Sequence, residues 1–511
     1  MTRLMAFAGV VYVLILTVGL SATVLHVPGE YATIQAGVDA ASDGDTVLVA
    51  DGLYTGDGNR DIDFGGKAIV VMSENGPEKT IIDGEGSEVE PHRGFYFHSG
   101  EDSSSVVQGF TITGGWHDYG GGIYCWQGSS PTIMGNTIKE NGGGRGAGIS
   151  CVDGSSPKIA GNAITGNQSG WSGSGIYCRT ESHPTIEGNR ITANWGWEGA
   201  GIYCGSYSDP IILGNTIRGN WGGWWWWGRG GGIYCFTYSS PTIVGNTISE
   251  NWGGWHGNGG GISCQWTTAT ISGNTIVGNA ADYGGGGIYC DRYGAVTVLN
   301  SILWADTAGI GEEVCVDSVW GVGSLSIAYS DVEGDSAGVY VAPGCTLYWG
   351  EGNFDADPMF VLPERGDYRL LWGSPCIDAG HPDSLDPDGT PRDIGAHFFD
   401  QDDYLTLYIT PDTTEIVGGG QLGVTYTVIN RWAGEETFWL VTEVTLPNGN
   451  TLGVLGPIPY TLPGESTAQV HLSHAVPALA PLGRYEYYSR IGVPPATLYD
   501  EDRFEFIVGA P

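Results

Sequence analysis

The chain has 511 residues, 87 of them glycine, and carries 57 acidic against 20 basic side chains, a formal charge of −37. Nucleic acid and anionic lipid are thereby excluded as partners, since both need Lys and Arg to displace counterions, whereas a neutral glycan, a cationic polymer or divalent cations fit. With 41% hydrophobic and 11% aromatic residues it has ample material for a core, and the disordered class is excluded too.

In chain order, Met1 to Ala22 reads "MTRLMAFAGVVYVLILTVGLSA", an early Arg, an apolar stretch and a small-residue end. This is the pattern of a secretory signal, with an uncleaved amino-terminal anchor as the alternative. No later stretch could span a bilayer, so the expected location is secreted or at the cell surface, with no membrane span after signal cleavage.

A repeat follows. "GGGIYC" ends at Cys125, "GAGISC" at Cys151, "GSGIYC" at Cys178, and the phrase returns at Cys204, Cys235, Cys264 and Cys290. Between copies runs a second phrase such as "SSPTIMGNTIKEN", ending at Asn141, or "SSPTIVGNTISEN", ending at Asn251. Such a unit cannot bury an apolar face alone, and stacking supplies the core. Each unit holds three short alternating runs and no helical period, which predicts three-strand coils stacked into three parallel sheets.

Alternation points the Ile and Cys of "GIYC" inward and Tyr124, Tyr177, Tyr203, Tyr234 and Tyr289 outward, in one row with Ser150 and Ser263. Two asparagines per unit, such as Asn136 and Asn141, are expected to bridge neighbouring coils at the bends. The repeat cysteines are expected as a ladder of free thiols. Parallel neighbours stand about 4.8 Å apart with parallel Cβ vectors, while a disulfide needs converging ones.

From each repeat Cys to the closing Asn the count is 16 residues, or 15 in the last unit, but from Asn to the next Cys it varies from 10 to 15. The variable turn holds Trp171, Trp195, Trp197, Trp221, Trp224, Trp225, Trp226, Trp227, Trp252 and Trp255, with Trp116 entering the first unit. Turns stacked at the coil repeat predict an aromatic ridge beside the tyrosine row. The ridge either shields a glycine-rich backbone or offers flat rings to a sugar chain. On the other rim, after the Cys, Asp153 and Glu181 fall on adjacent coils with Arg179 beside them. They are the candidate acid, base and charge partner of a glycosidase-like site, or else a solvated turn.

The repeat, with the opening "IQAGVDAASDGDTVLVADGLYTG" from Ile34 to Gly56, resembles the right-handed parallel β-helix of the pectin lyase-like superfamily over about residues 23–399. The resemblance implies the fold; its members include lyases, hydrolases, adhesins and pure scaffolds. Polygalacturonase-like members carry Asn-Thr-Asp, Asp-Asp and Gly-His-Gly on successive coils, and pectate lyase-like members carry calcium-binding aspartates with an Arg-x-x-Arg-x-Pro base. Neither set is present on these coils.

"GSPCIDAGHPDSLDPDGTPRDIGAHFF", Gly373 to Phe399, is similar to the closing segment of many secreted β-helix proteins. In it Asp386, Asp388 and Asp393 alternate with glycine in a way that could hold Ca²⁺, or simply form turns. Residues 400–511 then read as short alternating strands between Gly, Pro and Asn-Gly turns, a β-sandwich of about seven strands similar to immunoglobulin-like appendages of exported bacterial proteins.

The expected class is therefore all-β: a signal at 1–22, a right-handed parallel β-helix at 23–399 and a β-sandwich at 400–511. The expected function is an exported scaffold binding polysaccharide or surface glycan through a solvent-facing Trp/Tyr ladder, without catalysis. A polysaccharide lyase or glycoside hydrolase working beside that ladder is the first alternative. An adhesin or surface assembly protein, self-association included, is the second.

Overall fold

The computed structural model describes residues 22–223, 228–319 and 321–509. The repeat winds as a right-handed parallel β-helix, each coil giving one strand to each of three sheets. The strands carrying Ile-Tyr-Cys form an eleven-stranded sheet from Ile62–Asp63 to Val339–Val341, here called the Cys sheet. The Pro-Thr-Ile strands form a thirteen-stranded sheet from Val24–Val27 to Thr346–Trp349, and the Asn-Thr-Ile strands an eleven-stranded one from Gly52–Tyr54 to Asp331–Val332. A seven-residue helix, Ile34–Ala40, capped by the Thr33 side chain, turns Ile34 and Val38 into the first coil and closes that end of the core.

Register keeps like opposite like: Cys151 faces Cys178, Cys178 faces Cys204, and Ile164 faces Ile191. The inward Ile and Cys of the repeat are completely buried, in columns that run the length of the solenoid. Burying one such Ile contributes roughly 1.5–3 kcal/mol. All ten cysteines are free thiols. The spacing that brings neighbouring sulfurs near each other does not bend their Cβ vectors together.

The asparagines form two buried ladders. In the second, Asn167 donates from its backbone N and its Nδ2 to Asn194 Oδ1, at 3.0 Å each, and Asn167 Nδ2 also reaches Ile138 O at 2.9 Å. The next rungs, at Asn194 and Asn220, repeat the pattern. Each amide satisfies groups of the coils on both sides, so a bend that would bury bare amides is fully bonded. The glycine before the first asparagine, Gly161 for instance, sits at φ 61°, a left-handed turn open to solvent that most side chains avoid.

The expected solvent-facing tyrosine row is corrected by the structure. Tyr177, Tyr203, Tyr234 and Tyr289 do leave the solenoid lumen, yet all are buried, and Ser150 and Ser263 with them; Tyr124 is half-buried. The cause is the glycine-rich turn, which folds back over the outer face of the Cys sheet. At Gly173, φ 63°, an added Cβ would lie 2.7 Å from Tyr177 Cβ. The chain therefore passes directly over the row, and only glycine allows that approach.

After the last coils, an antiparallel hairpin of Phe360–Leu362 and Asp367–Leu370 leads to a two-sheet domain beginning at Thr406, antiparallel but for Glu415–Val417, which pairs parallel with Thr497–Gly509. Its sheets, of three and five strands, enclose a core of their own around Leu407, Val424, Phe438, Tyr487 and Phe506.

Candidate functional site

Beside the Cys sheet the variable turns build a fourth sheet of five short parallel strands, from Trp116–Tyr119 to Trp221–Gly222. Its register puts Trp195 opposite Trp221, and a further bridge puts Trp221 opposite Trp252. Three tryptophans thus stand one above another on successive coils. The Trp221 and Trp252 rings are 5.3 Å apart, Trp171 and Trp197 are 5.4 Å apart, and Trp255 meets Trp252 edge-on at 6.4 Å. Within the column Trp221 is 44% exposed and Trp195 and Trp252 are half-buried; beside it Trp171 and Trp255 are 54% and 49% exposed and Trp197 is half-buried. Trp224, Trp225, Trp226 and Trp227 lie outside the described residues.

The opposite rim carries a second aromatic pair. Tyr207 and Tyr238, each three residues after its Cys, stack at 5.3 Å with an 18° interplanar angle and are 55% and 61% exposed. Their φ angles are 64° and 59°, and Tyr293 in the corresponding turn has φ 62°. A left-handed backbone at a bulky residue costs about 1–3 kcal/mol and persists where its surroundings hold it.

Between the rims lies a floor of buried tyrosines with charged groups set among them. Arg145 donates to Tyr119 Oη at 3.3 Å and lies over that ring. Arg179 donates to Ser206 Oγ and Tyr177 Oη, at 3.1 and 3.4 Å. Its pKa is raised chiefly by Tyr177. Arg179 therefore turns to the tyrosine row and away from the two carboxylates it was expected to serve. Asp153 is exposed and accepts from Trp126 Nε1 at 2.6 Å, and Glu181 is exposed on the next coil. These three form no enclosed acid and base, because both carboxylates stand in solvent on a turn.

The enclosed acids are elsewhere. Asp291 and Asp317 follow Cys290 and Val316, which face each other on adjacent coils. Tyr289 Oη reaches both, at 3.2 Å to Asp291 Oδ2 and 3.0 Å to Asp317 Oδ2, and Tyr283 Oη donates to the same Asp317 oxygen at 2.9 Å. Both carboxyls are buried, Asp291 Oδ1 and the neighbouring Gln265 Nε2 have no hydrogen-bond partner among the described residues, and burial pushes the Asp291 carboxyl up to about 7.

At the closing segment, Asp386 accepts from Arg392 Nη1 and Asp393 N, Asp388 from Thr390 and Gln401 N, and Asp393 from Asp378 N and Phe399 N. All six oxygens hold turns together, and among the described residues no group of three or more His, Cys, Asp or Glu is placed to take a metal ion.

Stacked coils with inward Ile and Cys, asparagine-bonded bends and one turn of free length are what a repeat-family model tests. The model for right-handed β-helix regions matches residues 54–196 and 169–311, together just over half of the chain. The chain belongs to the right-handed β-helix family. Among curated proteins nothing matches it. Among solved structures it is similar to the Pseudomonas fluorescens alkylpurine DNA glycosylase AlkC bound to DNA containing an abasic site analog, at 10% identity and a TM-score of 0.17. That likeness covers 21% of this chain and only 31% of that one, and carries no argument about fold or function.

For this β-helix, sequence reasoning found the Trp column but not the acids. Asp291 follows the last repeat Cys at a position where no residue type recurs from coil to coil, and Asp317 lies past the last "GIYC" phrase. The row following the inward Cys or Val, in which Gln265, Asp291 and Asp317 succeed one another, was the available signal.

Proposed function

We propose that this β-helix is an exported, non-catalytic scaffold that holds a polysaccharide along the edge where Trp195, Trp221 and Trp252 stand in register. The observation that supports the reading is that column. Rings repeated at the coil spacing of about 4.8 Å make a narrow apolar strip along the solenoid, suited to the C–H faces of successive sugars in an extended chain. Trp171 and Trp255 widen the strip, and a net charge of −37 favours a neutral glycan. The test is retention on a panel of immobilised polysaccharides. Trp195→Ala with Trp221→Ala should lower retention at least tenfold, with the melting temperature within about 2 °C of the parent. Unchanged retention on every glycan that binds the parent would sink this reading.

A second reading, a glycoside hydrolase, is favoured by one observation: Asp291 and Asp317 share the hydroxyl of Tyr289, and burial raises the Asp291 carboxyl. A protonated acid beside a second carboxyl is the arrangement a glycosidase uses. Reducing-end release that vanishes in Asp291→Asn would establish it and displace the scaffold.

A further inference from the structure

The carboxy-terminal domain is tied to the solenoid and to the hairpin that follows it. Arg369 of the hairpin donates to Asp502 at 2.6 Å, Gln469 Nε2 donates to the hairpin's Val361 O at 3.0 Å, and Arg484 reaches Glu78 of the solenoid at 3.0 Å. Between the two bodies is a cavity of about 690 Å³. One wall is the outer face of the Asn-Thr-Ile sheet, where Arg190, Thr216 and Thr247 stand in register on successive coils. The hairpin after the solenoid and the segment Ile409 to Thr414 supply the others.

Five arginines line this cavity, and four are neutralised. Arg218 grips Glu250 with two bonds of 2.7 and 2.9 Å, Arg365 pairs with Asp412, Arg369 with Asp367 and Asp502, and Arg503 with Glu486 and Glu501. Arg190 differs. It is exposed to the cavity and has no carboxylate within ion-pair distance among the described residues. Burial between the walls lowers its pKa first, Arg218 repels it and lowers it further, and Glu415 attracts it. In a chain with 57 carboxylates, a guanidinium held between two protein walls with none of the described ones in ion-pair distance stands out, because partly desolvated charge gains most from a charge-assisted bond.

The volume says what kind of anion. It is many times that of a bare ion and falls in the range of about 300–1,000 Å³ typical of small organic ligands. The lining also carries threonine hydroxyls, among them Thr216 and Thr414. One unpaired cation matches one negative charge. We propose that the cavity between solenoid and carboxy-terminal domain binds a hydroxylated organic monocarboxylate, Arg190 taking its carboxylate and the threonines its hydroxyls. The site lies on a different sheet from the tryptophan column and does not depend on it.

Equilibrium dialysis of the full chain against D-gluconate, acetate and glucose tests this. Gluconate should bind saturably, one per chain, more tightly than acetate, with no binding of glucose. Arg190→Gln should weaken gluconate at least tenfold, Arg190→Lys should recover part of the loss, and Glu415→Gln should tighten binding a few-fold by removing the competing charge. Trp195→Ala with Trp221→Ala should leave gluconate binding unchanged, which separates this site from the glycan edge. Arg190 is exposed and unpaired, so its variants should fold, and their melting temperatures check that. Failure of gluconate to bind, or equal binding by parent and Arg190→Gln, overturns the site. Acetate binding as tightly as gluconate overturns the role given to the threonines.

Discussion

Within one coil, the stretch from Cys to Asn and the stretch from Asn to the next Cys obey different constraints. The first is 16 residues long in all but the last repeat and touches its own copies above and below at nearly every position. An insertion there would shift an Ile out of its column and break an asparagine rung. The second runs from 10 to 15 residues: its start beside the asparagine and its end at the glycine laid over the tyrosine row pair with their copies, and the extra length lies between. Uniform length here marks contact with a copy at nearly every position, and variable length marks contact at the ends alone.

Neighbouring residues on either side of that boundary give the sharpest test. Asn194 accepts two bonds from Asn167 and donates to Ile164 O and Asn220 Oδ1. Asn194→Ala leaves several buried groups unsatisfied and should cost about 3 kcal/mol or more, whereas Trp195→Ala, one residue on, should cost about 1 kcal/mol or less. Urea unfolding measures both, and equal costs would erase the distinction.

A smaller effect is expected where the second ladder ends on acids. Asn279 donates to Asp306 Oδ1 at 2.6 and 2.9 Å, and Asp306 N donates to Glu313 Oε1 at 3.1 Å. Burial pushes both carboxyls up, and Asp306 raises Glu313 further while a hydrogen bond from Glu313 partly offsets the rise at Asp306. Their folded pKa values lie above the unfolded ones, so the protonated pair favours folding at low pH, and that contribution is lost as pH rises from the ordinary carboxylate range through the raised values. Melting temperature should therefore fall with rising pH across that window, and Asp306→Asn, which restores the ladder residue, should flatten the fall. An unchanged slope would refute the acid ending.

The thiols test whether the constant half stays closed. In the native state the seven repeat cysteines should resist a thiol reagent, and in denaturant without reductant all ten should react, since all ten are free. Fewer than two reactive thiols in denaturant would mean that the ladder is bridged.

The smallest effect concerns the strained rim. Tyr238→Gly removes an exposed ring from a left-handed position, φ 59°, and should raise stability by about 0.5 kcal/mol or leave it unchanged. A clear loss would make the rim tyrosines structural props.

Much of this was legible in the residues. The inward columns, both asparagine ladders, the free thiols and the location of the tryptophans follow from period and alternation. The burial of Tyr177, Tyr203 and Tyr234 was not legible, because alternation tells which side of a sheet a residue leaves by and not what lies over that side. The acid pair was missed for a related reason. Asp153 and Glu181 are near each other on adjacent coils, but whether a carboxylate is enclosed depends on which turn closes over it, and that turn is the segment of variable length.

Sequence by itself determined the coil, since a repeat that matches its neighbour residue for residue leaves one way to stack, and stacking is local along the axis. Only the tertiary structure decided where solvent reaches: that the tyrosine row is roofed, that Asp291 and Asp317 are enclosed, and that the carboxy-terminal domain leaves Arg190 unpaired in a cavity against the solenoid. Those outcomes depend on contacts between segments far apart in the chain, which share no period and leave no pattern in the order of residues.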